Sequence, residues 1–212
     1  DIDENIVTAI NDGILHIKEE QLQAIMDDPT VRENLKAQSA PCEADIFVIA
    51  VPTPLDDRNK VADLSNVIEA TKSLNPHLRT GNLVILESTV PPLTCREIMT
   101  PLLERSGLKV GESLHLAHCP ERILPGDVFH EIVHNDRVIG AADEKSRTMA
   151  AEVYASFVQG ELLLTDDVTA ELVKLMENTY RDVNIALANE FAAVARTLKM
   201  DAGEAIALAN RH

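Results

Sequence analysis

Lys174, Asn178 and Arg181 stand at i, i+4 and i+7 of a stretch with helical periodicity, the most specific chemical constellation in the chain. At about 100° per residue the three fall within about 60° of one another, so an ammonium, an amide and a guanidinium project from one stripe. Together they can grip one polyanionic, polyhydroxylated ligand. Lys174 also has Glu171 at i−3 and Glu177 at i+3, so an exposed, salt-bridged helix face is the competing explanation. A second signal is Cys119-Pro120-Glu121-Arg122-Ile123-Leu124-Pro125-Gly126, which follows an apolar run of strand length. Glu121 can act there as a base and Arg122 can contact an anion, set against a plain surface ion pair in a proline-bracketed loop.

Both signals need elements to hold them. Apolar runs at 46–51, 83–86, 114–117, 137–139 and 162–164 alternate with helical stretches, a pattern that predicts an α/β fold with a mostly parallel, doubly wound sheet. Ligands of such sheets sit at the carboxyl ends of the strands. Two strand ends carry proline and threonine: Val51-Pro52-Thr53-Pro54 and Glu87-Ser88-Thr89-Val90-Pro91-Pro92. Proline stops the strand, and the hydroxyls of Thr53 and Thr89 can reach a dinucleotide's phosphate, ribose or nicotinamide; taken singly, each motif also reads as an ordinary turn.

The helices show recognisable starts. Ile6, Val7 and Ile10 share a face before Gly13, Asp63 can cap 64–74, and Asp143 can cap 144–157. Thr94 opens a stretch to Arg105 that Pro101 should kink or split. From Asp166 to Met200 there is neither Pro nor Gly. A helix of about 30 residues would be ~50 Å long, the length of a segment that links domains or forms a dimer core. A shorter helix over 202–209 follows.

Composition narrows the function classes. The 212 residues are 45% hydrophobic but only 3% aromatic, with Ala, Val, Ile and Leu dominant, as when a buried parallel sheet packs between helices. A net charge of −16 without any basic run argues against nucleic acid and against an acidic membrane surface as partners. A few local cations can still hold a small anion. Cys42, Cys95 and Cys119 have no CxxC spacing and read as reduced thiols, Cys42 and Cys95 as small buried hydrophobes, and no metal site is expected. With no signal peptide and no long apolar run in the sequence, a cytoplasmic protein is expected.

The eight glycines form no G-x-G-x-x-G. A dinucleotide fold carries that loop after its first strand, with an acid about 20 residues on for the ribose hydroxyls. Asp1 or Asp3 fits that acid, so the expected strand, loop and helix would lie upstream.

Jointly the motifs resemble the UDP-glucose/GDP-mannose dehydrogenase family, most closely its UDP-N-acetylmannosamine dehydrogenase branch. The resemblance is carried by Val51-Pro52-Thr53-Pro54, Glu87-Ser88-Thr89, Cys119-Pro120-Glu121-Arg122, Asn135-Asp136-Arg137-Val138-Ile139-Gly140, the string from Lys174 to Ala186, and the closing Leu208-Ala209-Asn210-Arg211-His212. It implies a partial Rossmann-like NAD-binding domain over 1–165, then a long central helix and helical dimerisation segment over 166–212, in a homodimer. It also implies two NAD-dependent oxidations of a UDP-sugar's C6 alcohol to the uronate, through a cysteine-bound thiohemiacetal and thioester. Under it, Asp1, Thr53 and Thr89 touch NAD, and Thr89 also helps position a water. Glu121 assists thioester hydrolysis, and Lys174 with Asn178 stabilises the changing charge on the reacting oxygen. Arg122, Ile123, Lys174, Asn178, Arg181 and His212 contact the substrate.

Two departures matter. The position four residues after Glu121, acidic in UDP-glucose dehydrogenases, is Pro125, which favours an N-acetylated sugar. The family's nucleophilic cysteine is expected downstream of His212, and Cys119 does not replace it. The 212 residues are therefore expected to be a fragment inactive alone. Two alternatives stand beside this reading: a β-hydroxyacid dehydrogenase relative making a single hydride transfer, and a non-catalytic dimerisation module.

Overall fold

A computed structural model describes residues 1–15, 20–56, 58–123 and 126–211. The chain divides into two compact units, 1–172 and 173–212.

The first unit opens with helix α1 (Glu4–Asn11), whose N-terminal N–H groups are capped by the Asp3 carboxylate and whose exit places Gly13 at φ +76°, a conformation that favours glycine. Helices α2 (Glu20–Met26) and α3 (Pro29–Asn34) follow; the latter has Asp28 as its cap and proline in its first turn. Next come strand β1 (Ile46–Ile49), a short hairpin of β2 (Leu55–Asp56) and β3 (Val61–Ala62), and helix α4 (Ser65–Leu74). Asp63 accepts the Ser65 N–H at 2.9 Å from one position before the cap, which is Leu64, so the helix begins one residue later than expected.

Strand β4 (Leu83–Leu86) leads into a segment that changes its winding twice: a π-helical turn (Thr94–Met99), α5 (Thr100–Leu103), then a 3₁₀ turn (Glu104–Ser106). This is the splitting expected at Pro101, which has no N–H to offer the preceding turn. Strand β5 (His115–His118), α6 (Val128–His134), β6 (Arg137–Gly140), α7 (Glu144–Ala155) and β7 (Leu162–Thr165) complete the alternation. Helix α8 (Asp167–Thr197) begins in this unit.

The five strands lie in the order β1-β4-β5-β6-β7. All neighbours are parallel except β5 and β6, which meet antiparallel at the single pair His118–Gly140. Strand β4 shows why the sheet is wound on both faces. Its Val84 and Leu86 pack with Phe47, Ile49, Val67 and Leu103, while Leu83 and Ile85 join Ala117, Ile139, Ala150 and Tyr154. All four β4 side chains are buried, so a continuous apolar run rather than an alternating one specified this strand. Cys42, expected as a buried thiol, is instead exposed in the extended segment before β1; Cys95 and Cys119 are buried.

In the second unit α8 continues and α9 (Ala202–Ala209) follows, capped by Asp201, which accepts the N–H groups of Gly203 and Glu204. Between them the N–H of Met200 returns to the Ala195 carbonyl and that of Lys199 to the Arg196 carbonyl, with Lys199 at φ +58°. This is a left-handed helix stop built without glycine, which is why the pattern read three residues too long.

Candidate active site

Adjacent parallel strands β1 and β4 end in register, Ile49 beside Leu86, and deliver both proline–threonine motifs to one edge of the sheet. The Ser88 hydroxyl laces them together, accepting the Val51 N–H at 2.8 Å and donating to the Val51 carbonyl at 2.7 Å. Thr53 Oγ1 donates to the Thr89 carbonyl at 2.7 Å. The hydroxyl of half-buried Thr89 makes no hydrogen bond to the described residues. The two threonines lie on neighbouring strand ends at the carboxyl edge, where such sheets bind ligands; Thr89 keeps its hydroxyl proton to donate, while Thr53 Oγ1, its proton engaged by the Thr89 carbonyl, offers lone pairs. Asp1 and Asp3 are both exposed; Asp1 Oδ1 accepts the Asp3 N–H at 2.9 Å, and Asp3 Oδ1 accepts the Asn5 N–H at 2.8 Å as the cap of α1.

The next strand end, after β5, brings in the second motif. The Glu121 N–H reaches the Glu87 carbonyl at 3.4 Å, so the Glu121 loop runs beside the Glu87-Ser88-Thr89 turn. One oxygen of Glu121, Oε1, accepts the N–H groups of Arg122 (2.7 Å) and Ile123 (2.8 Å); the other, Oε2, accepts from Arg137 Nη1 at 3.2 Å. Arg137 is only 3% exposed, while Arg122 Nη1 donates to the Asp136 carbonyl at 2.9 Å. Leu124 and Pro125 lie outside the described residues.

Behind this loop lies a polar cluster that motif reading does not reveal. Tyr154 of α7 donates its hydroxyl to Glu87 Oε1 at 2.7 Å, and the Arg137 guanidinium sits 5.5 Å from the Tyr154 ring centroid. Burial raises the Glu87 carboxyl above its usual range, opposed by the Tyr154 hydrogen bond. Cys119, buried in the same cluster, has its thiol pushed up to about 11 by burial, which leaves it protonated and unreactive at neutral pH.

The start of α8 is tied to the turn after β4. Glu171, fully buried, accepts the N–H groups of Leu93 (2.6 Å) and Cys95 (2.8 Å), where Leu93 is held at φ +74°. Arg96 grips Asp167 through two nitrogens at 2.6–3.0 Å. Glu171 therefore serves as a cap for the π-helical turn. Lys174, Asn178 and Arg181 follow on α8 in the second unit; Lys174 is buried, Asn178 and Arg181 are exposed. His212 lies outside the described residues. Among those residues no group of three or more His, Cys, Asp and Glu is arranged to hold a metal, and no helix is long and apolar enough to cross a membrane.

A largely parallel sheet with helices on both faces and hydroxyl-bearing turns along its carboxyl edge defines a Rossmann-like, doubly wound fold. GDP-mannose dehydrogenase from Pseudomonas aeruginosa shares that fold at a TM-score of 0.90 and 22% identity, over 100% of this chain and 50% of that one. The chain belongs to the UDP-glucose/GDP-mannose dehydrogenase family: residues 1–158 match its NAD-binding domain and residues 168–212 its central domain. It is 46% identical to UDP-N-acetyl-D-mannosamine dehydrogenase of Methanococcus aeolicus across 100% of its own length and 48% of that protein's. The solved UDP-D-ManNAc dehydrogenase from Pyrococcus horikoshii superposes with a TM-score of 0.93 at 42% identity, over 100% of this chain and 51% of that one. The chain thus spans about half the length of the relatives it matches.

Proposed function

We propose that the chain is part of an NAD-dependent nucleotide-sugar 6-dehydrogenase that oxidises the C6 alcohol of a UDP-N-acetylhexosamine of the UDP-N-acetylmannosamine type to the uronate. The observation that carries this reading is the convergence of Thr53, Thr89 and Glu121 on one carboxyl edge, in a chain with this identity to UDP-N-acetyl-D-mannosamine dehydrogenases along its whole length. NAD, when bound, accepts hydride from the substrate carbon. Thr53 and Thr89 would hold it at the strand ends and Asp1 would bind its ribose. Lys174 and Asn178 would stabilise the substrate oxygen as its charge changes. Arg181 and Arg122 would hold the sugar diphosphate, with His212 and Ile123 beside them; Ile123 would act through its carbonyl, because its N–H is engaged by Glu121. Glu121 would take the proton of the water that hydrolyses the acyl thioester.

In this reading residues 1–165 form the NAD-binding part and 166–212 the central helical part of a cytoplasmic homodimer that feeds polysaccharide synthesis. A dimer through α8 is supported by Met176, Tyr180, Val183, Leu187, Phe191 and Val194, all more than half exposed. At about 100° per residue they share a stripe about 80° wide, on the side of the helix away from the Lys174-Asn178-Arg181 stripe.

The test is stoichiometry. The full-length gene product should reduce two NAD per UDP-N-acetylmannosamine consumed, and the 212-residue chain should reduce none. One NAD per substrate, with short hydroxy acids preferred, would select the β-hydroxyacid dehydrogenase alternative; no NAD reduction by the full-length product would select a non-catalytic module.

A further inference from the structure

Glu121 is held from behind by groups to which neither the motifs nor the family match assigns a role. Arg137 opens β6, is buried, and gives Nη1 to Glu121 Oε2 at 3.2 Å. Its guanidinium sits against Tyr154, whose hydroxyl is anchored at 2.7 Å on Glu87, the residue heading the Glu87-Ser88-Thr89 turn. The Arg137 Nε is buried without a hydrogen-bond partner among the described residues.

We propose that Arg137, backed by Tyr154, is the positioning residue of Glu121: it fixes one carboxylate oxygen while the Arg122 and Ile123 N–H groups fix the other, setting the carboxylate plane for the hydrolytic half of the reaction. The inference rests on the function proposed above. In that step water attacks the thioester carbonyl carbon, a C–O bond forms, the C–S bond breaks with the pair leaving on sulfur as thiolate, and the water proton passes to Glu121. A carboxylate turned away by about 1 Å slows such a step by on the order of 10²-fold, while the oxidation steps before it do not need Glu121 in place.

The experiment uses the full-length gene product with NAD and UDP-N-acetylmannosamine, following NADH by stopped flow and the acyl adduct by intact-protein mass spectrometry. Arg137→Met should keep the first-turnover burst of NADH, lose about 10²-fold in steady-state rate, and accumulate an adduct several-fold above wild type. Arg137→Lys should restore part of the rate and lower the adduct, and Tyr154→Phe, which keeps the ring but releases Glu87, should show a smaller accumulation of the same kind. If Arg137→Met does not fold, the lysine and phenylalanine variants carry the test. Burst and steady state falling together without adduct, or no change, in variants that unfold at the wild-type temperature overturns the positioning role alone. A wild type that makes no NADH from the sugar nucleotide overturns the proposed function and this inference with it.

Discussion

The sheet around β4 and the long run of α8 use their apolar residues in opposite ways. In β4 all four side chains are buried against two separate clusters, whereas on α8 Tyr180 is 74% exposed and Phe191 60%. The lesson is that the first unit carries its own hydrophobic reason to fold, while the helix carries an apolar stripe whose burial must come from elsewhere.

That contrast can be broken by mutation, beginning with its strongest consequence. Ile85→Ala removes a fully buried side chain from the middle of the sheet and should cost about 2–5 kcal/mol in urea unfolding of the 212-residue chain.

Second in size is a pH effect. Burial pulls the His118 imidazole down to about 4, below its ordinary 6.5. Below about pH 6.5 the unfolded chain takes up a proton that the folded one refuses, so stability is lost as pH falls from about 6.5 towards 4, by at most about 3 kcal/mol. Glu87 and Glu171, raised by burial, act with the opposite sign as pH falls. The diagnostic is therefore the difference between wild type and His118→Leu, whose unfolding free energy should fall less over that range.

Gly140→Ala comes next. A Cβ there would lie 2.5 Å from both the Ala170 Cβ and the Asp166 carbonyl oxygen, so the start of α8 must shift, at about 1–3 kcal/mol by the same unfolding measurement.

The smallest effect sharpens the comparison most. Phe191→Ser should change the stability of the 212-residue chain by less than about 0.5 kcal/mol, yet should shift the full-length protein towards monomer in sedimentation. A loss as large as that of Ile85→Ala would erase the distinction between the two regions.

Much of the fold is legible because the sheet strands have apolar centres, unbroken in β1 and β4 and flanked by polar residues in β5 and β6: 83–86 agrees to the residue and the other four within two residues at each end. The β2–β3 hairpin and helices α2, α3 and α6 were not read, since two-residue strands and six- or seven-residue helices have too few periods to show a pattern. Within the candidate site, Thr53, Thr89 and Glu121 were visible because strand ends mark themselves with proline. The pairings of Arg137, Tyr154 and Glu171 were not, for a different reason. Arg137 meets Glu121 from 16 residues away, Tyr154 meets Glu87 from 67, and Glu171 meets Leu93 from 78. Pairings of that kind are created by tertiary packing and leave no local spacing to find. Glu171 shows how little of such a role is local: nothing in its neighbours along the chain announces that it is buried and bound to the left-handed turn at Leu93.

Strand β1 ends the five-stranded order, with Ile46 and Val48 about half exposed and no described strand on its outer side. In colloidal terms such a margin is short-ranged glue on a particle of net charge −16. At low ionic strength the charge keeps copies of the 212-residue chain apart. Near 0.15 M salt the repulsion decays within about 8 Å, and edges that meet can add strand to strand. Added salt should therefore lower the concentration at which a solution of this chain stays dispersed.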